Sequence, residues 1–260
     1  MKHLFTAMLI TCCSIGTASA DVTTSTTCSV GTQEVSNPTN CAINSPNNAP
    51  PNTLASAAAN ITINQLTPVP SQGSFTSFTV NVAGSTTAIP VSNIGSGPNI
   101  SSSAAATADI TYQFSTPGPV RSGLISISSG VNLQSGAGFD SVILTASIGS
   151  LNGSCSGEGG LCNGFLSLPG TRSFAFTLGD TFTFNFSEAF QAFGDPYVEG
   201  SGFARGSAGL NFQFFEADGK TPVAISAAPE PSSFSLLLLA APAAWLYRRK
   251  RQCNAKAVCE

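Results

Sequence analysis

The sequence predicts an all-β protein whose body is an antiparallel β-sandwich of the jelly-roll or immunoglobulin-like type. Two observations lead to this prediction. Apolar and polar residues alternate with a period of two in many short segments, such as FTVNV and DITYQFS, which is the pattern of a strand with one buried face. No segment of the body keeps a helical period over three turns, and turns rich in Gly and Pro separate the strands.

The clearest strands lie in RSFAFTLGDTFTFNFSE. They carry two apolar rows, Phe174, Phe176 and Leu178 in the first and Phe182, Phe184 and Phe186 in the second. A two-residue Gly179-Asp180 turn would put the rows on opposite faces, whereas a three-residue loop would keep them on one face. We predict that both rows share one core, through the longer loop or because the strands belong to facing sheets. Asp218-Gly219 predicts the turn of a last hairpin.

The first twenty residues have the features of a secretory signal peptide. A cationic start (MKH) precedes an apolar run (LFTAMLI), and Ala18-x-Ala20 is the small-residue pattern at which signal peptidase cleaves, before Asp21. We therefore expect the secretion machinery to export the chain. The alternative is a lipoprotein acylated at Cys12 or Cys13, which the short apolar run before these cysteines disfavours.

The remaining chain divides by composition. Residues 21–58 are rich in Ser, Thr, Asn and Pro and poor in bulky apolar side chains, which predicts an irregular, partly disordered extension. Regular alternation begins near Asn60, so we place the β-sandwich at residues 59–226. A linker at 227–235, an apolar transmembrane helix at 236–247 and a basic cytoplasmic tail at 248–260 follow.

Four cysteines lie between the signal peptide and the linker, and four cysteines allow three connectivities. Proximity along the chain favours Cys28 with Cys41 and Cys155 with Cys162. Such bridges persist in an oxidising compartment, which agrees with the predicted export.

The composition of residues 21–228 excludes several kinds of site. This body has no His, so it cannot form a Ser-His-Asp or Cys-His catalytic site or the His-rich shell of most catalytic zinc sites. Its four basic side chains stand against eleven acidic ones, which argues against nucleic acid as a partner. We predict a non-enzymatic protein that has no catalytic residue, no metal site and no cofactor.

The acidic side chains leave alternatives open. Two of them would suffice for a glycoside hydrolase, although their spacing selects no pair: Asp140, Glu158, Asp180, Glu188, Asp195, Glu199, Glu216 and Asp218. Calcium (Ca²⁺) is the alternative cofactor, since FGDPYVEGSG and FEADGK combine acids with glycine, but turns demand the same residues and we favour turns. An adhesin or carbohydrate-binding module would use exposed aromatic rings; outside Phe the body offers Tyr112, in an apolar row, and Tyr197.

The end of the chain joins three unlike segments. The triplet Pro229-Glu230-Pro231 precedes an apolar run, and the cations Arg248, Arg249, Lys250 and Arg251 close it. As a helix, residues 236–247 would span about 18 Å, less than the ~30 Å hydrocarbon core of a bilayer, and Pro242 interrupts them. Cations directly after an apolar run mark the cytoplasmic side and act as a stop-transfer signal.

This arrangement resembles the PEP-CTERM sorting signal of Gram-negative bacteria, which exosortases recognise. The resemblance covers residues 229–251, and the low-charge, Ser/Thr/Gly-rich body is also similar to those of this family. It implies transient anchoring in the inner membrane, cleavage near the triplet by an exosortase, and delivery to the cell surface or to a biofilm matrix of exopolysaccharide. One departure is that the chain continues after the basic cluster with QCNAKAVCE.

Overall fold

The structure is a computed structural model that describes residues 20–44, 55–67, 75–91, 99–136, 139–157, 161–167, 170–179, 181–197 and 200–227. Every regular element in these ranges is a β-strand, which confirms the all-β prediction. In chain order they are β1 (Ala20–Val30), β2 (Gln33–Asn37), β3 (Asn40–Asn44), β4 (Ser56–Thr67), β5 (Ser77–Ile89), β6 (Ser102–Ser115), β7 (Arg121–Ser135), β8 (Ser141–Ile148), β9 (Leu151–Ser156), β10 (Cys162–Gly164), β11 (Gly170–Leu178), β12 (Thr181–Gly194), β13 (Gly202–Glu216) and β14 (Ser226–Ala227).

The strands form two antiparallel sheets, as expected for a β-sandwich. One has the order β10-β9-β8-β12-β6-β1-β2, with β14 also paired to β6, and we call it the eight-stranded sheet. The other, the six-stranded sheet, has the order β11-β7-β13-β5-β4-β3. Along β6 and β12 every second side chain is buried, so each strand turns one face to the core and one outward.

Aromatic rings fill the middle of the core. Phe78 of β5 is fully buried, and its ring centroid lies 4.9 Å from that of Phe114 and 5.1 Å from those of Tyr112 and Phe184. These three partners come from the eight-stranded sheet and Phe78 comes from the six-stranded one. Because the rings interdigitate across the two sheets, their contacts fix how the sheets pack on each other.

The two Phe-rich strands β11 and β12 belong to facing sheets, the second of the two arrangements we predicted. β11 pairs with β7 in the six-stranded sheet, and β12 pairs with β6 and β8 in the eight-stranded sheet. Gly179, with a φ of 87°, lies where the chain passes from one sheet to the other, a conformation that favours glycine. Phe176 and Phe182 then meet edge to face at 5.0 Å within one core.

Residues 20–44 differ from the irregular extension expected for residues 21–58. They form β1, β2 and β3, and β1 pairs with β6 along its whole length. Thr26, Cys28 and Val30 alternate on the buried face of β1. The inner residues opposite are small, including Ala104 and Ala106 of β6. A stretch without large apolar residues can therefore complete this part of the core, and β-branched Thr suits a strand.

Both predicted disulfides are present in the structure. Cys28–Cys41 joins β1 of the eight-stranded sheet to β3 of the six-stranded sheet. Cys155–Cys162 joins β9 and β10, which are neighbours in one sheet. The first bridge therefore links the two sheets and the second links an edge hairpin.

Candidate functional site

A cleft of about 570 Å³ opens on the outer face of the eight-stranded sheet, where β1 and β12 end and β6 begins. Its floor consists of outward side chains from three adjacent strands: Ser29 of β1, Ser103 of β6, and Gln191 and Phe193 of β12. They point outward because the residues between them along each strand are buried. Gly31, Ser101 and Gly194 line the rim. We call this site the rim cleft.

The floor of the rim cleft offers hydroxyl and amide groups beside an aromatic ring. Ser29, Ser103 and Phe193 are cross-strand neighbours, and the hydroxyls of Ser29 and Ser103 are hydrogen-bonded at 2.8 Å. A hydroxyl has one donor and two acceptor positions, so this pair keeps a donor and several acceptors for a third group. The Gln191 carbonyl oxygen accepts a long hydrogen bond from Ser141 at 3.5 Å, which leaves the amide NH₂ directed elsewhere.

Phe139 forms a side of the rim cleft, and the next residue fixes its position. The Phe139 side chain is 67% exposed, whereas Asp140 is buried. One carboxylate oxygen of Asp140 accepts a hydrogen bond from the backbone N–H of Phe193, and the other accepts one from Phe203, both at 2.9 Å. Asp140 thereby ties the start of β8 to the end of β12 and to the start of β13 in the facing sheet.

Two glycines make room for the Asp140 carboxylate. A Cβ added to Gly202 would collide with Oδ1 of Asp140 and with the carbonyl oxygen of Phe193. A Cβ added to Gly136 would collide with Oδ2. The carboxylate therefore lies in a close-fitting backbone cradle, which gives the aromatic side of the cleft a rigid support.

Asp195 lies at the other side of the rim cleft, in one of the predicted turns. Its Oδ1 accepts a hydrogen bond from the N–H of Tyr197 at 2.7 Å, and its backbone carbonyl accepts one from Gly200 at 3.0 Å. Oδ2 makes no hydrogen bond within the described ranges. The turn leaves the Tyr197 side chain 77% exposed, whereas Tyr112 is buried in the core, as its apolar row indicated.

The electrostatic character of the rim cleft is weakly acidic. Asp195 is the one charged side chain among the described residues that line it. Glu34 of β2 is the cross-strand neighbour of Ser29. The structure describes all four basic side chains of the body, and none lines this cleft.

Glu188 lies inside the core, away from the rim cleft. It occupies the inner row of β12 between Phe186 and Phe190 and is fully buried. Its cross-strand neighbours are Ala108 and Leu144, and neither carboxylate oxygen has a hydrogen-bond partner among the described residues. Burial raises its pKa to about 8, so the carboxyl group is protonated at neutral pH. Without access to solvent, it offers no surface for a substrate.

Two further acids stabilise local structure. Glu216 accepts two hydrogen bonds from Arg121, at 2.6 and 2.9 Å, and this contact holds its pKa below the usual range. Asp218 accepts hydrogen bonds from Thr221 and from the N–H of Lys220, which lower its pKa. These bonds close the hairpin turn predicted at Asp218-Gly219.

In the part of the chain that the structure describes, no three His, Cys, Asp or Glu side chains meet in a group that could hold a metal ion.

Most of the predicted processing residues lie outside the described residues. These are Ala18, the triplet Pro229-Glu230-Pro231 and the basic cluster from Arg248 to Arg251. Ala20 is the first residue of β1. Glu158, Asp180 and Glu199 also lie outside the described ranges.

Sequence reasoning missed the rim cleft. Ser, Gln and Phe in alternating positions indicate a strand, and only the register between β1, β6 and β12 brings Ser29, Ser103 and Phe193 side by side. The one indication of the cleft in the sequence was Phe139-Asp140-Ser141, in which an aromatic residue and an acidic residue come directly before a predicted strand.

Comparison with protein-family models and with curated proteins found no match to this chain. Within the described ranges, no helix is long and apolar enough to cross a membrane.

Proposed function

We propose that this protein is an exported, non-enzymatic component of the cell surface or of a biofilm matrix, sorted through a C-terminal PEP-CTERM signal. The observation that carries the proposal is the order of Pro229-Glu230-Pro231, apolar run and basic cluster behind a β body. In this account the secretion machinery exports the chain, signal peptidase removes its first residues, and an exosortase cleaves near the triplet after a transient stay in the inner membrane.

The disulfides support the exported location of the body. Cys28–Cys41 and Cys155–Cys162 both lie between the two processing segments, and such bridges persist in oxidising compartments. The cysteines of the tail, Cys253 and Cys259, follow the basic cluster and fall on its cytoplasmic side.

The outer face of the eight-stranded sheet supports a role in a hydrated matrix. Hydrogen bonds between side chains cross its strands, from Ser25 to Thr107 at 2.7 Å and from Thr111 to Asn185 at 3.2 Å. Asn185 in turn donates to Ser147 at 3.3 Å. This surface of hydroxyls and amides matches the chemistry of exopolysaccharide, the matrix partner implied by the sorting signal.

The proposal is tested by following the full chain in a Gram-negative host that carries an exosortase and in the same host without it. We expect the body in the surface or matrix fraction of the first host and in the membrane fraction of the second. Replacing the triplet (P229A/E230A/P231A) has the same effect as deleting the exosortase, whereas Cys253→Ser, beyond the basic cluster, is a matched control that is released normally. Equal release from both hosts would overturn the proposal.

A further inference from the structure

We propose that the rim cleft binds an uncharged saccharide chain. The proposal goes beyond sorting and does not depend on it, because the residues that carry it all lie in the described body. It assigns a ligand class to the cleft at the ends of β1 and β12, where Phe139, Gln191 and Asp195 surround the Ser29–Ser103 pair.

The size of the rim cleft suits a small ligand or a short segment of a polymer. Its volume of about 570 Å³ falls within the roughly 300–1,000 Å³ that is usual for ligand pockets. The cleft is open at the end of the sheet, so it can bind an internal segment of a polymer whose two ends remain in solvent.

The lining combines the two kinds of contact that a sugar ring needs. Phe139 and Phe193 supply aromatic surface for the C–H faces of a pyranose. Ser29 and Ser103 retain donor and acceptor positions. The Gln191 amide adds a donor group, and Oδ2 of Asp195, which has no hydrogen bond within the described ranges, adds an acceptor. Each group can bind a sugar hydroxyl, which is itself both a donor and an acceptor.

The absence of cations from the described lining selects an uncharged saccharide over an acidic one. A uronate or sulfate entering the rim cleft would meet Asp195, with Glu34 close to Ser29, and would find no basic partner among the described lining residues. Unpaired like charges oppose binding strongly, so charge separates the two ligand classes.

The rim cleft is formed before any ligand arrives. Asp140 holds the backbone of Phe193 on one side and carries Phe139 as its chain neighbour on the other. Asp195 fixes the turn that closes the opposite side. A preformed site loses less conformational entropy on binding, which favours affinity for a flexible polymer.

The test is affinity electrophoresis of the oxidised full chain, in mild detergent, through gels that contain dextran, mixed-linkage β-glucan or galactomannan, with alginate as the acidic comparison. We expect at least one uncharged polymer to retard the protein and alginate not to retard it. Phe139→Ala and Gln191→Ala should each weaken the retardation about tenfold, the effect of losing ~1.4 kcal/mol of binding free energy.

The control is Val120→Ala, which removes an exposed apolar side chain from the loop between β6 and β7, at the other end of β6. Circular dichroism checks that the variants are folded. Two chemically different variants of the cleft are used so that the conclusion does not depend on one substitution that distorts the site locally. Retardation by alginate alone, or by none of the polymers, overturns the proposal. The proposal is also overturned if Val120→Ala weakens the retardation as much as Phe139→Ala and Gln191→Ala do. The result is separate from sorting, because no processing step occurs in the assay.

Discussion

Cys28 and Cys41 form a disulfide that connects the two sheets of the sandwich, β1 on one side and β3 on the other. Both side chains are buried, and their cross-strand neighbours on the inner face, Ala104 and Ala59, are small. The bridge therefore fixes the packing of the N-terminal strands at a place where the neighbouring buried side chains are small and each buries little apolar surface.

Replacing this pair (C28A/C41A) should lower the free energy of unfolding by about 3 kcal/mol, since a loop of this length restricts the unfolded chain by that amount. Urea unfolding of the oxidised full chain measures the loss. The matched variant is C155A/C162A, whose bridge closes a shorter loop within one sheet. A larger loss for the second pair than for the first would contradict the role given to the inter-sheet bridge.

Glu188 should make the protein less stable as the pH rises. Its pKa is about 8 in the folded state, above the ordinary value that it regains on unfolding. The folded state therefore holds the Glu188 proton more tightly than the unfolded state does. The contribution of this proton to the free energy of unfolding is complete below about pH 4.5 and is lost as the pH rises to about 8. The expected slope is roughly 1.4 kcal/mol per pH unit in that interval. The body contains no His that would titrate there.

The test measures the free energy of unfolding between about pH 5 and about pH 8 for the parent, Glu188→Gln and the exposed-site control Glu34→Gln. Gln does not titrate, so Glu188→Gln should remove most of the slope, whereas Glu34→Gln should keep it. An unchanged slope in Glu188→Gln would show that another group is responsible.

Asp140 should be necessary for both stability and the rim cleft. The Asp140 carboxylate accepts hydrogen bonds from the N–H groups of Phe193 and Phe203, one at each oxygen. In Asp140→Asn one of these oxygens becomes an NH₂ group, which cannot accept, so one buried backbone N–H loses its partner. We expect a loss of about 1.5–3 kcal/mol, because hydrogen bonds to charged groups are the stronger ones. Faster hydrogen exchange at the N–H groups of Phe193 and Phe203 would locate the effect.

The control for Asp140 is Asp109→Asn, at an exposed position on the outer face of β6, which should change stability by no more than about 0.5 kcal/mol. If the two variants are equally stable, the carboxylate of Asp140 does not support this end of the sandwich.

The period-two pattern predicted the strands and the inner rows of Phe because burial on one face determines that pattern directly. It failed for residues 21–44, which form strands instead of an irregular extension and in which Thr26, Cys28 and Val30 form an inner row without large side chains. The number of bulky residues is a poor guide there because the cross-strand neighbours on the inner face, such as Ala104, are small as well.

The cysteine pairings were predictable because proximity along the chain coincides with proximity in space. The rim cleft was not, since it depends on the register of three strands that are far apart in the sequence. The burial of Glu188 was also not predictable from the sequence pattern. An acidic residue at an inward position of a strand looks the same in the sequence as an interruption of the alternation between apolar and polar residues.

In the function we propose, the C-terminal segment anchors the chain in the membrane only until an exosortase cleaves it near Pro229-Glu230-Pro231. The most direct test is the intact mass of the protein recovered from the extracellular matrix of an exosortase-positive host. We expect a mature chain that begins at Asp21, carries the Cys28–Cys41 and Cys155–Cys162 disulfides and ends near the triplet. Extracellular protein that still contains Arg248 to Arg251 would contradict it.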